Sequence, residues 1–165
     1  MHTLKLLLLL FLLLLQVGCN SRDSFGSKAG GTVYLDRTND SLYTIKHAIN
    51  DTVVSAWELC YPVYQFDYGD LDGDGENEIC VGVIKTTKYD TVSRKRLFIF
   101  RLFDGRLIRP RWLGSRVGFQ LENFYVCRDS QPAVVITTEI KHDSTVCLQY
   151  HLGGFGLQFD KYLEQ

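Results

Sequence analysis

The sequence lacks the short motifs that mark the common catalytic and nucleotide-binding sites. It contains no glycine-rich phosphate loop, no GxSxG nucleophile motif and no HExxH metal motif. Its cysteines form no CxxC pair and have no neighbouring histidine, which argues against a zinc site. These absences favour a protein that is not an enzyme.

Long helical patterns and a strong net charge are also missing. Eighteen Lys and Arg residues balance 19 Asp and Glu residues, and the formal net charge of −1 argues against bulk nucleic-acid binding. After residue 18 no segment of ten or more residues has the 3.6-residue apolar period of an amphipathic helix. Short alternating segments recur instead, as in "SLYTIKHAI" (41–49) and "KRLFIFRLF" (95–103). They predict a single all-β domain over residues 32–165, antiparallel and either propeller-like or sandwich-like.

Turn signals separate neighbouring predicted strands. Asn50-Asp51, Asp104-Gly105 and His142-Asp143-Ser144 each separate two strand-like segments. The strands fall into three groups of similar layout, at about 32–59, 62–113 and 117–163. The segment "EICVGVIKTT" (78–87) differs from the others because it is almost continuously apolar.

The N-terminus has the pattern of an export signal. Lys5 precedes an apolar run from Leu6 to Leu15, which suits a secretory signal and is too short to span a bilayer. The run ends at "QVGC", residues 16–19, which resembles the cleavage site of bacterial lipoproteins, although Gln16 stands where that family usually has Leu. The resemblance implies that residues 1–18 are a signal peptide and that Cys19 carries lipid.

A tether is expected between this lipid and the domain. Residues 19–31 are rich in Ser and Gly and predict a flexible segment. In lipoproteins an aspartate after the cysteine favours the inner membrane, whereas this chain has Asn20. The resemblance therefore points to lipid anchoring at the outer membrane of a cell envelope, and it leaves the periplasmic and the surface face open.

The most unusual stretch is the acidic loop, which spans residues 67–79 and reads "DYGDLDGDGENEI". Oxygen-rich, highly charged loops of this kind suit a hard cation with six to eight oxygen ligands. Gly75 allows the sharp turn that such a loop needs. The alternative is an acidic β-turn without a metal, in which the carboxylates would repel one another. Six carboxylates lie in the loop: Asp67, Asp70, Asp72, Asp74, Glu76 and Glu78.

The spacing resembles known calcium loops. Its first half is similar to an EF-hand, but the twelfth position is Val81 and the flanking segments look like strands. It is closer to the D-x-D-x-D-G loops of FG-GAP and VCBS repeats, in which calcium is structural. The chain as a whole is similar to Bacteroidetes-type lipoproteins that carry one such loop. That resemblance implies a Ca²⁺ site with side-chain oxygens from Asp70, Asp72, Asp74 and Glu78 and the backbone carbonyl of Glu76.

A basic and aromatic segment follows the acidic loop. Such a surface can bind an anionic glycan, a lipid headgroup or an envelope protein. The alternatives are a solvated strand face, or arginines that neutralise the acidic loop across a sheet. The candidate binding residues are Arg96, Arg101, Arg106, Arg109, Arg111 and Trp112.

Two further questions remain open at this level. Cys60, Cys80, Cys127 and Cys147 are either small strand hydrophobes or partners in one or two disulfides. The expected function is a binding or structural module, with an accessory subunit of an envelope complex as the second hypothesis. A glycan or phosphoester hydrolase is the third, for which the candidate acids are Glu58, Glu122 and Glu139.

Overall fold

The part of the protein that the structure describes is all-β, as the sequence predicts, and contains twelve strands. The computed structural model describes residues 23–114 and 116–164. The expected signal peptide and Cys19 lie outside these residues. In the described ranges there is no helix that could span a membrane. The strands are β1 (Ser24–Gly26), β2 (Thr32–Asn39), β3 (Leu42–Ile49), β4 (Thr52–Leu59), β5 (Val63–Gly69), β6 (Glu78–Lys85), β7 (Arg94–Phe103), β8 (Leu107–Leu113), β9 (Gln120–Cys127), β10 (Val134–Lys141), β11 (Ser144–Gly153) and β12 (Gly156–Leu163).

The strands form three antiparallel sheets of four strands each. The first sheet contains β1 to β4, the second β5 to β8 and the third β9 to β12, and in each sheet consecutive strands are neighbours. The three groups predicted from the strand layout are thus confirmed, and the arrangement is sandwich-like. Three of the hairpin turns have positive φ at both central residues, the conformation of a type I′ turn. They are Asn50-Asp51 (48° and 61°), Asp104-Gly105 (51° and 63°) and His142-Asp143 (46° and 62°).

The second sheet lies between the other two and buries both of its faces. Alternate residues of β6 and β7 point to opposite sides, so two cores share this sheet. The core against the first sheet contains Ile79, Val81, Val83, Phe98, Phe100 and Leu102. The core against the third sheet contains Cys80, Leu97 and Ile99. Burial on both faces explains why the 78–87 segment is apolar almost throughout.

The ordered domain begins earlier than expected. Strand β1 lies inside the segment predicted to be a tether, where Phe25 pairs with Val33 of β2. The Phe25 ring is 6% exposed and stacks on the Tyr68 ring at 4.4 Å between centroids. A single buried aromatic side chain therefore holds a segment that is otherwise rich in Ser and Gly.

No disulfide joins the four cysteines of the described domain. Cys60 is exposed, Cys80 is buried, and Cys127 and Cys147 are half-buried. Cys80 is the one that packs fully as a small hydrophobe, at 0% exposure in the second core.

Candidate functional site

The acidic loop joins β5 to β6, and the sheet holds both of its ends. Gly69, the last residue of β5, pairs with Glu78, the first residue of β6. The residues between them, 70–77, form bends outside the ladder. The pairing of β5 with β6 therefore fixes the distance between the two ends of the loop.

The loop folds around its own carboxylates. Asp70 accepts hydrogen bonds from the N–H groups of Gly73 (2.7 Å) and Gly75 (2.9 Å). The Asp74 carboxylate accepts one from the Glu76 N–H (2.7 Å). Gly73 and Gly75 have φ of 81° and 80°, a conformation that other residues adopt only with strain. The alternation of Asp and Gly thus produces a tight turn with its oxygens directed inward.

Three carboxylates converge in this turn. Asp70, Asp72 and Glu78 each place one carboxylate oxygen within 4.8 Å of the other two. Calcium–oxygen distances are about 2.3–2.6 Å, so oxygens on opposite sides of one ion are about 5 Å apart. The spacing and the oxygen-only chemistry of these side chains fit a calcium ion.

Glu78 differs from the other loop acids because it is buried. Its side chain is 2% exposed, and one carboxylate oxygen accepts a hydrogen bond from the Leu71 N–H at 2.8 Å. Burial raises the pKa of Glu78 to about 7, and the charges of Asp70, Asp72 and Asp74 act in the same direction. A cation at this point would favour the ionised form of Glu78.

Asp74 and Glu76 lie outside this trio and face a cavity of about 170 Å³ together with Asp72 and Glu78. Lys28 contacts both residues. Its Nζ donates to the Asp74 carbonyl at 2.5 Å, and its backbone N–H donates to the Glu76 carboxylate at 3.2 and 3.3 Å. Lys28 lies 48 residues before Glu76 in sequence, so no local pattern could have predicted this contact.

The third sheet also contacts the loop. Gln131 donates from its side-chain amide to Asp70 (3.2 Å), and the Ala133 N–H donates to the Asp70 carbonyl (2.8 Å). Asp67 has a different role from the other loop acids. It accepts from the Val126 N–H at 2.7 Å and pairs with Arg128, which joins β5 to β9.

Among the basic residues predicted from the sequence, Arg101 is the one that faces the acidic loop. It lines the same cavity as Asp72 and Glu78. Ile79 pairs with Phe100 in the ladder, and one step further the same antiparallel alignment sets Glu78 opposite Arg101. This placement agrees with the alternative in which an arginine neutralises the loop across a sheet.

Of the other predicted basic residues, Arg109 pairs with Arg101 in the β7–β8 ladder, so the two lie side by side on one face of the sheet. Arg96 and Trp112 line a cleft at the other end of β7. Arg109 is exposed on β8, and Arg106 is exposed in the hairpin, where its carbonyl accepts a hydrogen bond from His47 (2.9 Å). Arg111 lies half-buried on β8.

This second site, the basic cleft, is a cavity of about 820 Å³. It lies beside the first residues of β7, whereas the acidic loop lies at the last ones. Leu97 lines the cleft and Arg101 lines the loop cavity, so the nearest β7 residues of the two sites are about 13 Å apart along the strand. The structure adds several basic and aromatic residues to the two that were predicted. They are Tyr89, Arg94, Lys95, Arg116, Phe119 and Lys141.

The three acids considered for hydrolysis lie on three different strands. Glu139 is fully buried and accepts hydrogen bonds from Thr137 (2.6 Å) and Tyr150 (2.9 Å). Glu122 pairs with Lys95 at 3.2 Å, which together with Gln120 holds the pKa of Glu122 below its usual value. Glu58 is exposed on β4. Structural partners therefore occupy two of the three acids.

No model of a known protein family matches the chain, and comparisons with curated proteins and with solved structures likewise return no match.

Proposed function

We propose that this chain is a lipid-anchored cell-envelope protein that Ca²⁺ stabilises and that acts as a binding module. The observation that carries the proposal is the convergence of the Asp70, Asp72 and Glu78 oxygens within 4.8 Å. Without a cation, an acidic cluster of this kind destabilises the folded protein, because like charges repel and Glu78 is buried. The match to the calcium-loop spacing supports the same ion.

In this proposal the metal has a structural role. Lys28 and Gln131, which lie next to the first and third sheets, donate hydrogen bonds to the loop, and Arg101 of the second sheet lines its cavity. A bound ion would hold the loop in the one shape that these contacts require. The carboxylates have no histidine among the residues that line their cavity, so they are assigned to binding the ion and not to a reaction.

The calcium test is thermal unfolding of the purified chain with excess Ca²⁺ and then with a chelator. At a free concentration about a hundredfold above the dissociation constant, Ca²⁺ adds about 2.7 kcal/mol. For a domain of this size we expect the melting temperature to rise by about 5–10 °C. Asp72→Asn removes one ligand charge and should abolish most of the shift.

The matched control is Asp143→Asn, which removes an equally exposed carboxylate from the β10–β11 turn. It should keep the full calcium shift. If the wild type melts at the same temperature with Ca²⁺ and with chelator, the calcium site is refuted.

The proposed anchor is the lipid on Cys19, and the proposed location is the outer membrane. Cys19→Ser should move the exported protein from the membrane fraction to the soluble fraction, because a lipid chain supplies the membrane affinity. Fractionation followed by immunoblotting measures this directly, with Cys60→Ser as the control for loss of an exposed thiol. Membrane association that persists in Cys19→Ser would refute the lipid anchor.

A further inference from the structure

The basic cleft is built from the ends of two sheets. One wall comes from the β6–β7 connection and the first residues of β7, including Tyr89 and Arg94. The facing wall comes from the segment before β9 and the end of β10, including Arg116, Phe119 and Lys141. Its volume of about 820 Å³ is in the range of sites that enclose small organic ligands.

Cations outnumber carboxylates in this cleft. Arg94 and Arg96 share one acid, Asp90, at 3.3 and 2.9 Å. Although burial opposes it, hydrogen bonds from the Val92 N–H and Arg96 hold the pKa of Asp90 below its usual value. Lys95 pairs with Glu122. These contacts leave a positive surplus even when both acids are ionised.

The other two cations of the cleft are Lys141, which lies beside aromatic rings, and Arg116. The Lys141 ammonium lies 5.0 Å from the Phe119 ring centroid and 5.2 Å from that of Tyr162. Arg116 is exposed at the rim, and within the described part of the chain it forms no ion pair. Both side chains are placed to meet an oxyanion that enters between the walls.

The shape of the basic cleft restricts the class of ligand that it can bind. Its cations line a recess. A small molecule can enter this recess, whereas the flat surface of a bilayer cannot reach the cations inside it. Aromatic side chains at Tyr89, Trp112 and Phe119 offer planar apolar contacts, while Thr87 and Gln120 offer hydrogen bonds. A molecule that combines ring faces, hydroxyl groups and negative charges satisfies all three kinds of contact.

We propose that the basic cleft binds an acidic oligosaccharide of two or three sugar units that carries carboxylate or sulfate groups. Arg116 and Lys141 would bind its oxyanions, and the aromatic residues would contact its rings. This inference rests on the binding role proposed above, and it depends on neither the calcium loop nor the lipid anchor.

The test is a titration of the full-length chain in detergent with trigalacturonate, followed by tryptophan fluorescence. Trp57 lies in the first core, so a Trp57→Phe background leaves Trp112 in the cleft as the reporter. We expect a saturable change with trigalacturonate and none with neutral maltotriose at the same concentration. In Arg116→Gln/Lys141→Gln the affinity should fall about tenfold or more, because two charge-assisted hydrogen bonds are lost.

The matched control is Arg109→Gln/Lys161→Gln, which removes the same charge from exposed positions outside the cleft. Its affinity should stay within twofold of the parent, which separates a local contact from the overall charge. Equal binding of maltotriose, equal losses in the two double variants, or no binding of trigalacturonate would overturn the proposal. Binding only to phosphatidylglycerol vesicles would also overturn it, since the ligand would then be a lipid headgroup.

The calcium and anchoring proposals have separate readouts. Asp72→Asn, assayed below its melting temperature, should bind trigalacturonate as the parent does, because its loop lies at the other end of the second sheet. A failed calcium test with intact sugar binding would therefore refute the metal site alone.

Discussion

At the scale of single residues, Glu139 is the clearest case of a buried acid with a structural role. It lies at 0% exposure in β10 and accepts hydrogen bonds from Thr137, Tyr150 and the Phe119 N–H. Tyr150 in turn accepts from the Gly118 N–H at 3.0 Å. The network attaches the segment before β9 to two neighbouring strands, and the basic cleft includes part of that segment.

Removing this carboxylate should be costly. Glu139→Ala removes the acceptor of Tyr150 and of the Phe119 N–H, and it leaves Thr137 with its 3.5 Å bond to the Leu148 carbonyl. It also creates a cavity, so we expect the free energy of unfolding to fall by about 3–5 kcal/mol. Glu139→Gln keeps one oxygen and most of the volume and should lose less. Urea unfolding measures both, with the exposed Glu58→Ala as a control that should change stability by about 0.5 kcal/mol or less. Equal losses for Glu139→Ala and Glu58→Ala would contradict this role.

Single residues of the acidic loop also show what the local spacing in the sequence can predict. The two-residue spacing of the aspartates brought Asp70 and Asp72 near Glu78, because their positions depend on the turn itself. It could not separate Asp67, which turns toward β9, from the rest of the cluster. It could not predict Lys28 either, because that contact joins residues distant in sequence.

At the scale of strands, the sequence was informative wherever the signal was local. Alternation and two-residue turn pairs predicted the strand groups, because both depend on neighbouring residues. The short strand β1 was missed, since three residues give no visible period, and it is ordered by the burial of Phe25 and by pairing with β2. The continuous apolar run of β6 was visible, but its cause, a sheet covered on both sides, is a property of the assembled layers.

The arrangement of the basic residues follows from strand geometry. Arg96 and Arg101 lie five positions apart on β7, one near the first residues of the strand and the other near the last ones. Arg96 reaches the basic cleft, while Arg101 reaches the cavity of the acidic loop. A count of basic residues in the sequence could not reveal this division, because it depends on which end of β7 each residue occupies.

At the scale of the whole molecule, the second sheet links the stability of the other two. Its residues take part in both cores, so neither outer sheet can separate without exposing apolar surface of the middle layer. The acidic loop reinforces the link, since it meets Lys28 on one side and Gln131 on another. We therefore expect the three sheets to unfold together and calcium to stabilise all of them.

Cys80 offers a direct test of this coupling, because it is 0% exposed between the second and third sheets. Burial raises the pKa of its thiol, which further suppresses its reactivity. Iodoacetamide should thus modify Cys80 only through unfolding, and its labelling should follow the free energy of global unfolding when reclosing is fast. If calcium contributes about 2.7 kcal/mol, chelation should increase Cys80 labelling about a hundredfold.

Exposed Cys60 serves as the internal control for this measurement, since its labelling should be rapid and insensitive to calcium. Mass spectrometry of the digested protein reports both sites in one sample. If Cys80 were labelled far faster than global unfolding allows, the third sheet would be opening alone. If chelation left Cys80 labelling unchanged while lowering the melting temperature, calcium would be stabilising the other layers without the third. Agreement between the labelling of Cys80 and the unfolding of the whole chain would require that the buried middle sheet and its acidic loop join the three layers into one cooperative unit.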